Sequence, residues 1–214
     1  MKVVEIFASI DGEGKRTGLP TTFIRLYGCN LNCSYCDTRY GCEGEDYRVM
    51  SVQEIIEAVE RIGIPNITIT GGEPLIHSGI DKLLGAFDED YVVNVETNGT
   101  ILIPNYIKRY SKTFYTVDYK CPSSGMEDEM NLDNFDRLCS SDVLKFVVGD
   151  DKDLDKMLEI IEKYEPKCEI YVSPVFGKIE PKQIVDYVLN HRLYNVKVQV
   201  QLHKVIWNPE ERGV

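Results

Sequence analysis

The amino-acid sequence predicts an α/β protein whose sheet forms an incomplete, open (β/α) barrel of about six or seven parallel strands. Apolar runs rich in β-branched residues alternate with helical patterns, which is typical of βα units and a parallel sheet. The chain has 214 residues, enough for one domain spanning 1–214. A complete eight-stranded barrel typically takes ~250 residues. We therefore expect a single domain whose barrel does not close.

Seven strands and five helices are predicted in order along the chain. Each strand is a short apolar run bounded by turn residues, and each helix places its apolar residues on one stripe. The helix from Val52 starts with Ser51 and Glu54, a capping-box pair. The polar connection from Cys121 to Asp142 is predicted to hold no more than a short helix near Leu132–Leu138. The predicted strands are Thr22–Tyr27, Asn66–Thr70, Tyr91–Glu96, Thr113–Tyr119, Val143–Val148, Glu169–Val172 and Asn195–Gln201, and the predicted helices are Val52–Ile62, Gly79–Phe87, Asn105–Tyr110, Leu154–Tyr164 and Pro181–Asn190.

One face of the predicted sheet carries polar side chains at the carboxyl ends of its strands. Successive side chains of a strand point to opposite faces, so Ile24 and Leu26 are separated from Arg25. On the last strand the same alternation places Gln201 and His203 on the polar face. Such groups are costly to bury without partners, which leaves either a half-solvated sheet or a lumen that holds a polar small molecule. We favour the lumen, and in barrel enzymes the site lies at the carboxyl ends of the strands.

Composition and charge argue against nucleic-acid and membrane partners. The formal net charge of −11 disfavours a nucleic-acid-binding surface, which needs clustered Lys and Arg. The chain shows neither a signal-peptide pattern nor an apolar stretch of membrane-spanning length, so no membrane partner is expected. Seven cysteines without a paired framework fit the reducing cytoplasm.

Three cysteines follow the first predicted strand closely. Cys29, Cys33 and Cys36 have the spacing C-x3-C-x2-C, which is suited to a shared metal centre rather than to disulfides. Structural zinc would need a fourth ligand, for which Cys42 is the candidate. An iron–sulfur cluster on three thiolates would leave one iron open to a substrate or cofactor. The other cysteines, Cys121, Cys139 and Cys168, are unassigned, and small buried apolar residues are the default interpretation.

These cysteines, followed by Asp37-Thr38 and accompanied by Gly71-Gly72-Glu73-Pro74, resemble the motifs of radical S-adenosylmethionine enzymes. Asp11-Gly12-Glu13-Gly14 and Gln201-Leu202-His203-Lys204 narrow the resemblance to the 7-carboxy-7-deazaguanine synthases, from about Glu5 to about Trp207. The resemblance implies a barrel of the radical S-adenosylmethionine type. It also implies a 4Fe–4S cluster on Cys29, Cys33 and Cys36, S-adenosylmethionine on its open iron, and Mg²⁺ bound by Thr38.

The same resemblance implies the reaction and the residues of the site. A radical ring contraction would convert 6-carboxy-5,6,7,8-tetrahydropterin to 7-carboxy-7-deazaguanine with loss of ammonia, in queuosine and deazapurine biosynthesis. This chain has Asp11 where the family usually has Gln. Arg25 has a second interpretation, an internal ion pair with Glu96 or Asp118. The implied S-adenosylmethionine contacts are Tyr35, Cys36, Asp37, Gly72, Glu73, Asn98, Asp118, Tyr119, Lys120, Ser173 and Pro174, and the implied substrate contacts are Ile10, Asp11, Gly12, Glu13, Arg25, Thr70, Glu96 and His203.

Two alternatives to a synthase remain open from the sequence. A glycyl-radical enzyme activase has similar cysteine spacing, and a zinc- or cluster-binding scaffold protein would use Cys42 as a fourth ligand. The family further implies a homodimer and an electron donor such as a flavodoxin. The sequence does not decide whether the tail Trp207–Val214 covers the mouth of the cavity.

Overall fold

The computed structural model describes residues 1–87, 89–105, 109–110, 112–209 and 211–214. Part of the predicted helix Asn105–Tyr110 falls on residues 106–108, outside the described residues. The strands are β1 (Lys2–Ile10), β2 (Pro20–Leu26), β3 (Arg48–Val49), β4 (Asn66–Gly71), β5 (Val92–Thr97), β6 (Thr113–Tyr119), β7 (Val143–Val148), β8 (Glu169–Pro174) and β9 (Val196–Val198), and the helices are α1 (Val52–Ile62), α2 (Ile80–Ala86), α3 (Asp151–Tyr164), α4 (Pro181–Asn190) and α5 (Leu202–Ile206).

The nine strands of the described residues belong to one sheet in the order β3-β1-β2-β4-β5-β6-β7-β8-β9. From β2 onwards, each strand is parallel to its neighbour, whereas β1 is antiparallel to both β2 and β3. Within the described residues the end strands β3 and β9 pair with no further strand, so the barrel is open. The seven parallel strands confirm the predicted fold class.

The apolar face of the sheet packs against helices as the alternation predicts. Ile24 and Leu26 are fully buried, and so are Ile67 and Ile69 on β4. Helix α1 begins at the predicted capping box and ends at Ile62, and the left-handed backbone of the following Gly63 (φ 76°) suits a glycine. Among the described residues, none belongs to a helix long and apolar enough to cross a membrane.

Four parts of the fold differ from the prediction. Strands β1 and β3 were not predicted, because β1 is only half-buried along most of its length and so lacks a clear alternation. The last strand ends at Val198, and His203 lies on helix α5, so its placement on the polar face of a strand is wrong. Helix α3 starts at Asp151, because Asp150 caps it by accepting from the Asp153 backbone N–H. The 121–142 connection contains short 3₁₀ turns, among them Leu132–Asp136.

The N-terminal loop (residues 11–19) closes the amino-terminal end of the barrel. Ile10 pairs with Pro20 at the start of β2, so the loop lies opposite the carboxyl ends of the parallel strands. Arg16 reaches under the sheet and donates to the carbonyls of Ile67 (3.0 Å) and Val92 (2.8 Å). The Asp11 carboxylate binds Arg16 Nε at 2.7 Å and also accepts from Thr68. This buried ion pair forms a floor beneath the lumen.

Candidate active site

A cavity of about 630 Å³ occupies the lumen of the open barrel. Loops after β2, β4, β5 and β8 surround its upper part, and the N-terminal loop contributes the lower part. The C-terminal segment, including Pro209, Arg212 and Val214, also lines the cavity. The sequence had not decided whether this segment lies there. The volume lies within the range of small-molecule sites, and the lining is rich in charged groups.

Two glycines after β4 hold the cysteine loop close to the sheet. A Cβ on Gly71, whose φ is 143°, would lie 2.1 Å from the carbonyl oxygen of Leu26. A Cβ on Gly72 would lie 2.0 Å from the carbonyl oxygen of Gly28. The Glu73 backbone N–H donates to that same Gly28 carbonyl at 2.8 Å. The Gly-Gly pair therefore permits the close approach that places Cys29 at the top of the cavity.

The three motif cysteines are free thiols that line this cavity, and Cys42 lies beside them. The Leu31 N–H (3.4 Å) and the Asn98 side-chain amide (3.7 Å) donate to Cys29 Sγ. A hydrogen bond from Cys42 outweighs burial and lowers the pKa of Cys29. In the described part of the chain, no three His, Cys, Asp or Glu side chains are grouped around a single-ion site. The ligands of an iron–sulfur cluster need not lie as close together as those of a single ion, because each thiolate binds a different iron. Three thiols that face one cavity are compatible with such a cluster.

Ser34 anchors the cysteine loop to the segment after β6. Its backbone N–H donates to the Ser124 carbonyl (3.0 Å), and its hydroxyl donates to the Ser123 carbonyl (2.6 Å). The buried carboxylate of Asp153 on α3 accepts from the Ser123 N–H at 2.9 Å. The position of Cys33 and Cys36 is thus tied to helix α3, a link that the sequence did not reveal.

Glu73 connects the carboxyl ends of β4 and β5 rather than lining the cavity. Its carboxylate accepts from the backbone N–H groups of Leu75 (2.9 Å) and Asn98 (2.7 Å), and from the Thr97 hydroxyl (2.8 Å). Burial raises the pKa of Glu73 to about 7 despite these donors. The geometry makes Glu73 a brace between two loops, and its predicted contact with S-adenosylmethionine stays a prediction.

Arg25 lines the cavity and pairs with a residue of the unpredicted strand β1. Its Nε donates to Glu5 Oε1 at 2.7 Å, so the alternative partners Glu96 and Asp118 are not the ones that bind it. Tyr40 donates to the same Glu5 oxygen at 3.0 Å, and the Arg25 guanidinium lies 5.7 Å from the centre of the Tyr40 ring. Glu5 thereby fixes the orientation of the guanidinium.

A wall of alternating charges crosses strands β5, β6 and β7. Glu96 stands on β5, Asp118 pairs with Lys120 Nζ at 2.9 Å, and Lys145 on β7 binds Glu13 at 3.2 Å. Burial raises the pKa of Glu96. Burial works against ionisation of Glu13, but Lys145 and the neighbouring donors hold its pKa below the usual value. The sequence offered no motif for Lys145, and only the assembled sheet shows its place in the cavity.

The C-terminal helix α5 contributes His203 and Lys204. Burial lowers the pKa of His203, which favours the neutral imidazole. Lys204 Nζ binds Asp37 Oδ2 at 2.8 Å and so links α5 to the cysteine loop. Thr38 also lines the cavity, with its hydroxyl oxygen 3.8 Å from Cys36 Sγ. The ion pair brings the Cys36-Asp37-Thr38 segment next to the C-terminal helix.

Most predicted site residues meet in the cavity. Asp11 lines it, but its carboxylate is occupied by Arg16, Thr21 and Thr68, so the proposed substrate contact of that side chain is not supported by the geometry. Four predicted residues do not line the cavity, namely Glu73, Tyr119, Ser173 and Pro174, and their contacts stay predictions from the resemblance. Those that do are Ile10, Asp11, Gly12, Glu13, Arg25, Cys29, Cys33, Tyr35, Cys36, Asp37, Thr38, Thr70, Gly72, Glu96, Asn98, Asp118, Lys120 and His203.

Comparison with known proteins agrees with this geometry. The family model described as the Radical SAM superfamily matches residues 23–165. A 7-carboxy-7-deazaguanine synthase from Clostridium acetobutylicum is 45% identical, and the alignment covers 100% of this chain and 99% of the relative. One from Chlorobaculum tepidum is 37% identical over 100% of this chain and 97% of the relative. The crystal structure of QueE from Escherichia coli has a similar fold, with a TM-score of 0.73 and 22% identity, covering 94% of this chain and 93% of that one.

Proposed function

Because the chain belongs to the radical S-adenosylmethionine superfamily, and within it to the 7-carboxy-7-deazaguanine synthase family, we propose that it converts 6-carboxy-5,6,7,8-tetrahydropterin to 7-carboxy-7-deazaguanine with loss of ammonia. One observation carries the proposal: the thiols of Cys29, Cys33 and Cys36 open into the same polar cavity as Arg25 and His203. The family cofactors, a 4Fe–4S cluster and S-adenosylmethionine, fit a cavity with thiols at one end and charged groups beyond them. When bound, they would supply an adenosyl radical capable of removing a hydrogen atom from the substrate.

The protein side chains then bind and orient the substrate. Arg25, fixed by Glu5, offers its guanidinium fork to the pterin carboxylate, which suits the bidentate geometry of that pair. Glu96, a cavity-lining carboxyl group whose pKa is raised by burial, is the proposed hydrogen-bond partner of the nitrogen-rich edge of the ring. The neutral His203 provides a hydrogen bond without adding a charge. Holding the reacting carbon in place supplies most of what the protein contributes to the rate.

We assign Mg²⁺ to Thr38, whose hydroxyl faces the cavity next to the cysteine loop. A hard cation that retains water accepts a hydroxyl ligand, and the substrate carboxylate is the natural charged partner. We further propose Tyr35, Cys36, Asp37, Gly72, Asn98, Asp118 and Lys120 as S-adenosylmethionine contacts. A flavodoxin-type electron donor, a homodimer and a cytoplasmic location follow from the family in the same way.

Full-length similarity to synthases favours this function over the two alternatives. A glycyl-radical activase must admit a protein loop, for which a lumen lined by Arg25, Glu96 and Lys145 has no evident use. A scaffold protein would need Cys42 as a fourth ligand. Cys42 lines the same cavity as the three motif cysteines, so it is the full-length similarity to synthases that disfavours this alternative.

Anaerobic reconstitution tests the proposal. The protein is loaded with iron and sulfide, reduced, and incubated with S-adenosylmethionine, Mg²⁺ and the carboxypterin. We expect 7-carboxy-7-deazaguanine and an equivalent of ammonia, and a change in the cluster spectrum when S-adenosylmethionine is added. The Cys33→Ala variant should form no product. Reconstituted wild-type protein that responds to S-adenosylmethionine but gives no deazapurine would contradict the proposed substrate.

A further inference from the structure

Lys145 is a buried cation that none of the site motifs includes. It lies on β7 directly beside Asp118 of β6, and its ammonium group binds Glu13 Oε2 at 3.2 Å. The two side chains of this pair are only 12% and 11% exposed. Glu13 lies 132 positions earlier in the chain, in the N-terminal loop. The pair therefore fastens that loop to the middle of the parallel sheet.

Other bonds hold the same loop from the C-terminal side. Gln201 Nε2 donates to Glu13 Oε2 at 3.3 Å, and the Leu202 N–H donates to the Gly12 carbonyl at 3.0 Å. Gln199 binds Gly14 through both its amide nitrogen and its oxygen. Gly12 and Glu13 both line the cavity. Lys145 thus supplies the charged member of a set of bonds that decides where this part of the cavity wall lies.

Stability alone gives a poor reason for such a pair. Removing an ammonium and a carboxylate from water costs about as much as their attraction returns, so a buried ion pair adds little net stability. Its geometric effect is larger, because a charged hydrogen bond with both partners buried allows few alternative positions. A second positive charge beside Glu96 and Asp118 also keeps this wall close to neutral.

We propose that Lys145 is a positioning residue for the substrate, acting through Glu13 to hold the N-terminal loop where it contacts the pterin. The inference rests on the proposed function and deepens it. Lys145 does not need to touch the reacting atoms for this role. Its loss should weaken pterin binding and leave the cluster and S-adenosylmethionine unaffected, since Lys120 and Asn98 near the cysteine loop remain in place.

A set of four proteins tests the proposal: wild type, Lys145→Met, Glu13→Gln and the double variant. We expect each single change to raise the KM for the carboxypterin on the order of tenfold, with kcat nearly unchanged. Binding of the oxidised analogue 6-carboxypterin, followed by its fluorescence, should weaken in parallel. Iron content and the spectral response to S-adenosylmethionine should match wild type. Amide hydrogen exchange in residues 11–19 should become faster.

The double variant distinguishes positioning from an independent contact. If Lys145 acts through Glu13, the double change should cost no more than the larger single change, because both remove one link. If the two increases in KM multiply in the double variant, the proposal is overturned. A wild-type KM in Lys145→Met would overturn it as well. Lys145→Arg should restore part of the affinity, since a guanidinium can still bind Glu13. If Lys145→Met does not fold, Glu13→Gln carries the test, and a wild-type KM there overturns the proposal.

Lys182→Met is the matched control, because this lysine is 82% exposed on α4 and pairs only with Asp186 among the described residues. It should behave as wild type throughout. Failure of the proposed function gives a different result, since the wild-type protein itself would then form no deazapurine. If the wild type forms the deazapurine and the Lys145 and Glu13 variants keep the wild-type KM, only the positioning role is rejected and the proposed function stands.

Discussion

The imidazole of His203 occupies the space that any side chain at residue 12 would need. A Cβ on Gly12 would lie 2.1 Å from His203 Nδ1, far inside van der Waals contact. The two residues come from opposite ends of the chain, and the bond from the Leu202 N–H to the Gly12 carbonyl holds them in register. The absence of a side chain at Gly12 is thus what allows α5 to close against the N-terminal loop.

We expect Gly12→Ala to displace either His203 or the loop, and to lower kcat/KM on the order of 10–100-fold, since a shift near 1 Å is costly in a preorganised site. Steady-state kinetics with the carboxypterin measures the effect. Gly79→Ala is the control, because its new Cβ would meet only Met1 at 3.4 Å or more. Wild-type kinetics in Gly12→Ala would show that His203 is not held in this position.

Gly72→Ala should impair the cysteine loop. The added methyl would stand 2.0 Å from the Gly28 carbonyl oxygen, and backbone atoms on both sides cannot move independently. The loop must shift outward, and we expect a loss of most of the iron bound after reconstitution. Iron analysis and the visible absorption of the cluster provide the measurement. A full iron complement in Gly72→Ala would argue against the close contact of the two loops.

Asp11→Asn should destabilise the protein by about 3 kcal/mol, the typical cost of leaving one partner of a buried pair uncompensated. The Arg16 guanidinium would keep its carbonyl acceptors but lose its counter-charge. Denaturant unfolding gives the free energy of unfolding. Asp186→Asn, which breaks the exposed pair with Lys182, should cost less than ~1 kcal/mol. Equal losses of unfolding free energy in Asp11→Asn and Asp186→Asn would contradict the burial of the Asp11–Arg16 pair.

Glu73 should give the stability of the cluster-free protein a specific pH dependence. Its pKa is raised from 4.5 to about 7 by burial, so in this range the folded state binds more protons than the unfolded state. Stability must therefore fall as the pH rises through this window. Glu73→Gln cannot titrate and should flatten that part of the curve of melting temperature against pH. The exposed Glu60→Gln should leave the slope unchanged, and an unchanged slope in Glu73→Gln would refute the assignment.

Thr38→Ala should lower the turnover rate and abolish its stimulation by Mg²⁺. The hydroxyl is the proposed oxygen ligand from the protein, and a methyl group cannot replace it. Initial rates across a Mg²⁺ titration, with wild type alongside, measure both quantities. Iron content should be unaffected, because the three cysteines remain. An unchanged rate with an unchanged response to Mg²⁺ would show that the metal is bound elsewhere.

The local patterns of the chain predicted the parallel sheet well. Helices α1 and α4 have the predicted bounds, because Ser51 and Pro181 mark their starts with chemistry that acts within a single turn. Strand β1 escaped prediction because its burial depends on β2 and β3 on its two sides. The predicted end of the last strand was wrong: the apolar alternation continues to Leu202, but the strand ends at Val198, and the Leu202 N–H binds the Gly12 carbonyl of the N-terminal loop.

By itself, the sequence determined the cysteine loop, the glycine pair that supports it and the parallel strands that carry both, because each depends on residues close together in the chain. Only the tertiary structure decided which charges meet. Arg25 binds Glu5, Asp11 binds Arg16, and Lys145 binds Glu13. A side chain takes its partner from whatever the packed sheet brings within hydrogen-bonding distance, and two of these partners come from a strand or loop whose position follows from the whole barrel. The physical reason is that periodicity encodes which face a residue occupies, whereas pairing across a lumen depends on how all the strands of the open barrel are arranged around it.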